Sequence, residues 1–312
     1  MKTRTLFMAM AVSAAMSAYA DDNCTIRMNI VPIDGGEEVG ASVASRLEAK
    51  LMPVLSEADI AIDHSYTKLF VAGRFDNTYS EVLSGTTPRI LVKTTLTLYF
   101  GNLQEQHVYS SRSFDLKGSG VSMEAAYTKC LGALSQRQAE VRNFLAEGRD
   151  KAISYFDNNY TTYLTTARQA MLARNYAEAL YYATSIPECS KGWPEASALT
   201  AEIYTDYTNY EGQRLLTMAR GAWAASLDAE GARKAYAYLS QIDPAASCAS
   251  QADALGREIA AKTKSDWKFE NETKYQDALS IEKQRIEAAR AIGEAWAKNQ
   301  PQNDTKVYWI VR

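Results

Sequence analysis

Histidine is nearly absent from this chain, with two in 312 residues, His64 and His107. A Ser-His-Asp triad would have to recruit one of them, and neither sits in a nucleophile-elbow setting. The four cysteines form no C-x-x-C unit, which argues against a redox motif or a zinc knuckle. Walker, H-E-x-x-H and G-x-S-x-G sequences are missing, and the pair Gly118 and Gly120 lacks the third glycine of a dinucleotide loop. Seven prolines and 16 glycines are too few for a fibrous chain, and 46% apolar residues are too many for a disordered one. A net charge of −3 offers no basic face for nucleic acid. The residues therefore point away from an enzyme, and no cofactor or metal is expected.

What is present begins with a leader. Lys2 and Arg4 precede an apolar run from Leu6 to Met16, and Ala18-Tyr19-Ala20 forms an A-x-A cleavage site. This three-part pattern reads as a signal peptide over residues 1–20. The run is too short to cross a bilayer core, which needs about 20 apolar residues, and no later stretch is long enough. Cys24 follows Asp-Asp-Asn rather than the small, apolar residues of a lipobox. The expected location is the periplasm or the outer-membrane periphery, where disulfides persist.

Residues 21–149 read as α/β. Residues 26–33 suit a strand entering a core, and Val39, Val43, Leu47 and Leu51 recur at helical spacing until Pro53 ends or kinks the helix. Three alternating strands follow. Leu69, Val71, Gly73 and Phe75 share one face, then Val92, Leu96, Leu98 and Phe100, then Val108, Phe114 and Leu116. His107, Tyr109, Ser111 and Ser113 are placed on the wet face. Gly118-Ser119-Gly120 closes the strands, and Ser122 caps a helix along which Met123, Tyr127, Cys130, Leu131, Leu134, Val141 and Phe144 follow at helical spacing. The order is β-α-β-β-β-α.

The strand 26–33, the long strand 90–100 and the Gly-rich turn into Ala-rich helix at 118–126 resemble the small α/β domain of CsgG-like and LpoB-like envelope proteins and of the FlgT flagellar protein. The resemblance implies assembly or partner binding in the bacterial envelope, not catalysis. The membrane-inserting hairpins of its channel-forming members have no counterpart in this sequence.

Residues 150–300 read as helical. A stretch recurs: Ala167-Arg168-Gln169-Ala170 leads through Tyr176-Ala177-Glu178-Ala179 to Ile186-Pro187, and Ala219-Arg220-Gly221-Ala222 leads through Glu230-Gly231-Ala232 to Ile242-Asp243-Pro244. This resembles divergent tetratricopeptide-like hairpins, at a spacing of 52–56 residues rather than the usual 34. An ordinary helical domain with chance similarity is the alternative. Cys189 and Cys248 follow the two exits, so stacked copies would bring them together, and a Cys189–Cys248 disulfide is expected; Cys24 and Cys130 are then left as a second pair. Residues 246–298 read as a long C-terminal helix with a charged middle over 262–277, and residues 301–312 as a tail ending in a short strand that joins a sheet edge or a partner.

The fold class expected is thus α+β, an α/β envelope-type domain followed by a helical-repeat domain. Tyrosines cluster on the helices. Most are expected in packing, but Tyr163, Tyr176, Tyr182, Tyr204 and Tyr207 are candidates for a binding groove. The function expected is that of an exported, non-catalytic interaction or assembly module binding an envelope protein or peptide. A subunit of an oligomeric secretion or assembly complex and a periplasmic hydrolase with an inter-domain site are the alternatives.

Overall fold

The computed structural model describes residues 25–32, 39–63, 68–85, 87–264 and 278–299. The expected signal peptide, Cys24, His64 and the expected terminal strand lie outside the described residues. The chain is mixed α/β, a sheet followed by helices.

Strands β1 (Ile26–Pro32), β2 (Ile60–Ile62), β3 (Leu69–Leu83), β4 (Arg89–Asn102) and β5 (His107–Gly120) form one sheet in the order β2-β1-β3-β4-β5. β1 is parallel to both neighbours, and β3, β4 and β5 are antiparallel. Helix α1 (Ala41–Glu57) connects β1 to β2, a short strand that the alternation pattern was too brief to reveal. Pro53 does not end α1; the helix runs four residues beyond it. Gly118 and Gly120 do close the strands, since β5 ends at Gly120. Their missing side chains let helix α2 (Met123–Leu134) lie directly on β5, where a Cβ on Gly118 would meet Cys130 N at 2.6 Å. Ser122 caps α2 as expected, accepting from Ala125 N at 3.2 Å.

The helix-facing side of the sheet is dry. Val71, Val92, Leu96, Leu98, Phe100 and Phe114 are all fully buried there. The other side carries a polar ladder, Thr95 to Asp115 at 2.9 Å and Thr97 beside Ser113 at 3.0 Å. Each such pair is an exposed cross-strand contact worth about 0.2–1 kcal/mol.

Helix α3 (Gln138–Leu172) begins on the sheet and ends among helices. Its Gly148 sits against the Phe100 ring, 2.6 Å from where a Cβ would be. One hydrophobic cluster therefore runs without a break from Ile26 through Phe100, Phe156 and Leu164 to Ile203. The boundary expected at residues 149 and 150 falls inside this helix.

After α3 come α4 (Tyr176–Ala183), α5 (Trp193–Ala225), α6 (Ala229–Leu239) and α7 (Ala249–Thr263). The recurring stretches each fold as helix, tight turn, helix and Ile-containing exit. Their likeness extends to hydrogen bonds that composition does not show. Asp157 on α3 accepts from Lys191 N at 2.8 Å, and Asn209, 52 positions on, accepts from Ser247 N at 2.8 Å. A size exchange accompanies it. In the first copy the Tyr160 ring packs on Gly192; in the second, Gly212 lies under Cys248, whose Sγ is 3.1 Å from a built Cβ. A second cluster, including Leu216, Trp223, Leu239 and Ile259, fills the second copy.

Cys248 thus occupies the place of Gly192, not that of Cys189, and it is a buried, free thiol. The expected Cys189–Cys248 disulfide is absent for this reason. Cys130 is also free and buried, so Cys24–Cys130 is not a pair.

The C-terminal stretch holds two described helices. α7 stops at Lys264, which adopts a left-handed φ of 54°, and α8 (Ala278–Asn299) is a separate helix. α8 packs on α4, with Gly293 so close to the Tyr181 backbone that a Cβ there would meet it at 2.7 Å, and with Trp296 on the Tyr181 ring at 5.2 Å. Charged groups secure it. Arg27 bonds Glu287 at 2.8 Å, Arg290 reaches Glu188 at 3.6 Å, and the buried Lys68 donates to Tyr181 O at 2.9 Å with Glu294 at 3.8 Å. Burial pulls the Lys68 ammonium down to about 7, a shift that Glu294 opposes and Arg290 reinforces.

Two outcomes follow from this packing. Gly148→Val forces a methyl-bearing carbon into the Phe100 ring and is expected to cost about 1–3 kcal/mol in urea unfolding. Gly132→Ala, where a Cβ meets nothing within 4 Å, is expected to gain about 0.5–1 kcal/mol. For Lys68, the unfolded side chain holds its proton up to about 10.5 and the folded one only to about 7. Between these values the unfolded state binds more protons, so raising the pH favours folding. Urea midpoints of the wild type should climb from pH 7 to pH 10 relative to those of Lys68→Met; parallel curves would contradict this.

Candidate functional site

The most elaborated surface feature is a cleft of about 400 Å³ between the β4–β5 hairpin and the middle of α3. It is lined by His107, Tyr109, Glu147, Lys151, Ser154 and Tyr155, with Asp150 and Asn158 at its rim.

Its hairpin wall is built by two local devices. The buried Asn102 side chain accepts from Gln104 N at 3.0 Å and Glu105 N at 3.1 Å, folding the turn over itself. Then Phe100 pairs with Ser110 and Gly101 with Val108, which leaves Tyr109 as an extra residue in β5. This β-bulge turns Tyr109 inward. Strict alternation had placed Tyr109 on the wet face; instead it is 7% exposed, with its ring 6.4 Å from Phe100 and 5.6 Å from Tyr155.

The helical wall supplies aromatic faces at i, i+1 and i+8 along α3. His107 stacks on Tyr155 at 5.7 Å and 21°, and meets Tyr109 edge-on at 4.9 Å. Contacts continue from Tyr155 to Phe156, Tyr163, Tyr182 and Trp296, with centroids 5.4–6.5 Å apart. The edge-to-face pairs among them, Tyr155–Phe156 and Tyr163–Tyr182, add about 0.5–1.5 kcal/mol each beyond burial. Tyr163 closes the network by donating its hydroxyl to Glu105 Oε1 at 2.6 Å. Burial first, then that carboxylate, pushes the Tyr163 phenol far above its usual value, so it remains a donor. Tyr155 is shifted upward by the same two causes. At the cleft mouth Lys151 bonds Glu147 at 2.6 Å, which holds the Glu147 carboxyl below its usual value. The cleft thus offers ring faces, phenol and imidazole edges, and one exposed charge pair.

The five tyrosines singled out in the sequence divide into two groups. Tyr163 and Tyr182 touch within the first network. Tyr176 and Tyr204 both contact Tyr207, in a second cluster that includes Tyr210 under Arg174. Tyr176 donates to Asp206 at 2.9 Å. No ring contact among the described residues joins the two groups. Sequence reading missed His107, Tyr109 and Glu105 as site residues. The signal available was small: a polar hairpin turn immediately followed by two rings, His107 and Tyr109, that flank Val108.

Among the described residues no three His, Cys, Asp or Glu side chains assemble as a metal-ligand set. No described helix is long and apolar enough to cross a membrane.

No family model and no curated protein matches the chain. Parts of it are similar to solved structures. A minor lipoprotein of Acinetobacter baumannii shares 11% identity over 40% of this chain and 89% of that one, with a TM-score of 0.20. A PelC dodecamer of Paraburkholderia phytofirmans shares 13% identity over 40% and 86%, with a TM-score of 0.23. A homolog of a putative neuraminyllactose-binding hemagglutinin from Helicobacter pylori shares 15% over 42% and 91%, with a TM-score of 0.26. Likenesses of this size assign no function.

The Tyr163–Glu105 bond is testable by a double-mutant cycle. Glu105→Ala leaves a largely buried phenol without its acceptor and is expected to cost about 1–3 kcal/mol in urea unfolding. Tyr163→Phe in that background should cost less than in the wild type, giving a coupling of about 1 kcal/mol. Additive losses would show that the bond contributes nothing.

Proposed function

We propose that this is an exported bacterial-envelope protein, resident in the periplasm or at the outer-membrane periphery, that works as a non-catalytic interaction module. Its ligand is an envelope protein or peptide, and the cleft between the hairpin and α3 is the surface that receives it. The observation that carries this reading is the combination of exposed His107, stacked Tyr155 and the Glu147–Lys151 pair on elements packed into the core through Phe100, Tyr109 and Phe156. Aromatic faces give contact area at small entropy cost, and a paired acid and base can orient a peptide's own charges. Half-buried Tyr204, Tyr207 and Tyr210 supply a second aromatic face on α5. The helical copies are read as tetratricopeptide-like, a frame suited to presenting such faces.

A second reading is favoured by the edge of the sheet. β5 is 14 residues long and, among the described residues, no strand pairs with its outer side. Such an edge is a template for another strand, which suits a subunit of an oligomeric assembly.

A photo-crosslinking residue in place of Ser154, in the cleft, should capture a partner in intact cells, and one in place of the exposed Arg233 on α6 should not. His107→Ala with Lys151→Glu, both exposed positions, should lower that capture at least five-fold with the circular dichroism spectrum unchanged. Equal crosslinking at the two positions would sink the cleft as the binding surface. Light scattering on the purified protein separates the readings: a clean monomer counts against the assembly subunit.

A further inference from the structure

The two halves of the molecule meet at a seam where β1 leaves the N-terminal segment. Thr25, Ile26 and Arg27 line a cleft of about 30 Å³ together with Ile186, Pro187 and Glu188 of the α4–α5 loop and Arg290 of α8. Cys24 is the residue before Thr25, and Cys189 the residue after Glu188.

The other two cysteines are committed elsewhere. Cys130 is 0% exposed beneath the sheet, its Sγ 3.9 Å from Val92 O, and belongs to the first hydrophobic cluster. Cys248 is 2% exposed over Gly212 and belongs to the second. Both are free thiols. Cys189 is half-buried and disulfide-bonded. The chain holds four cysteines in all.

From this elimination and from the shared cleft, we infer that Cys24 and Cys189 form a disulfide that staples the first strand to the exit loop of the first helical hairpin. Consecutive residues are 3.8 Å apart and a disulfide spans Cα atoms within about 7 Å, so neighbours of two residues that line one small cleft are within reach. The two thiols lose two protons and two electrons as the S–S bond forms. The acceptor is a disulfide-bearing oxidant, such as a thiol–disulfide oxidoreductase or oxidised glutathione, which becomes a dithiol or two thiols. The bond closes a loop containing the whole sheet and α3, and so adds a covalent member to the seam where Arg27 and Glu188 bind Glu287 and Arg290 of α8. The two thiols left over are shielded in separate cores, which lowers the risk of mispairing.

The connectivity follows from the fold and does not depend on the cleft's function. It is read by digesting the protein under non-reducing conditions after oxidation with glutathione in vitro and, separately, after recovery from the cell envelope. Leader removal is read from the intact mass of the second sample. One linked peptide joining Cys24 to Cys189 is expected, with two free thiols per chain titrated in denaturant. Cys24→Ser and Cys189→Ser should each raise the count to three and lower the melting temperature by about 5–10 °C, while Cys248→Ser leaves the linked peptide intact. A linkage of Cys24 to Cys130 or Cys248, or four titratable thiols in the oxidised sample, would overturn the pairing. The wild-type peptide map decides the matter even if a serine variant fails to fold.

Discussion

The approach of α3 to the sheet at Gly148 governs most of what the molecule is. A 35-residue helix is about 50 Å long, and this one is bound to β4 and β5 along its first half and to α4 and α5 along its second. Were its sheet-facing surface to carry a side chain at residue 148, the Phe100 ring would hold it off and the continuous core would open. Because the contact is close, the sheet and the first helical copy share one interior. The second copy has its own smaller interior farther along α5.

The cleft is a by-product of that same contact. α3 crosses the end of the β4–β5 hairpin at a height set by Phe100, and the bulge at Tyr109 turns a ring into the gap. The face of α3 carrying Tyr155, Phe156 and Tyr163 then has aromatic and carboxylate partners that belong to the hairpin rather than to a helix. The site is therefore shared by both halves, with a deeply packed rear and a polar mouth.

The sequence showed a good deal of this. Strand faces at Val71, Leu96, Leu98 and Phe114, the Ser122 cap and the two helix–turn–helix copies were all legible, because period-2 and helical spacing are local properties. Features that broke local rules were misread. Pro53 sits within a helix held by its neighbours; Gly118 and Gly120 do end β5, but they also serve a close helix–strand contact that local spacing does not show. Tyr109 has the alternation of an outward residue and is turned by a bulge that only the pairing with β4 defines. Of the five tyrosines proposed for one groove, the helices place two in one cluster and three in another.

Residue order by itself determined the mixed fold class of the chain and the succession of strands and helices, since each is written in spacing over a few turns. Tertiary structure alone decided which cysteines can meet, where the cores divide and which rings form a surface. Those outcomes depend on how residues far apart in sequence are brought together. The 56-position offset that equates Cys248 with Gly192, and not with Cys189, is visible only once Gly212 and Tyr160 are seen in equivalent places.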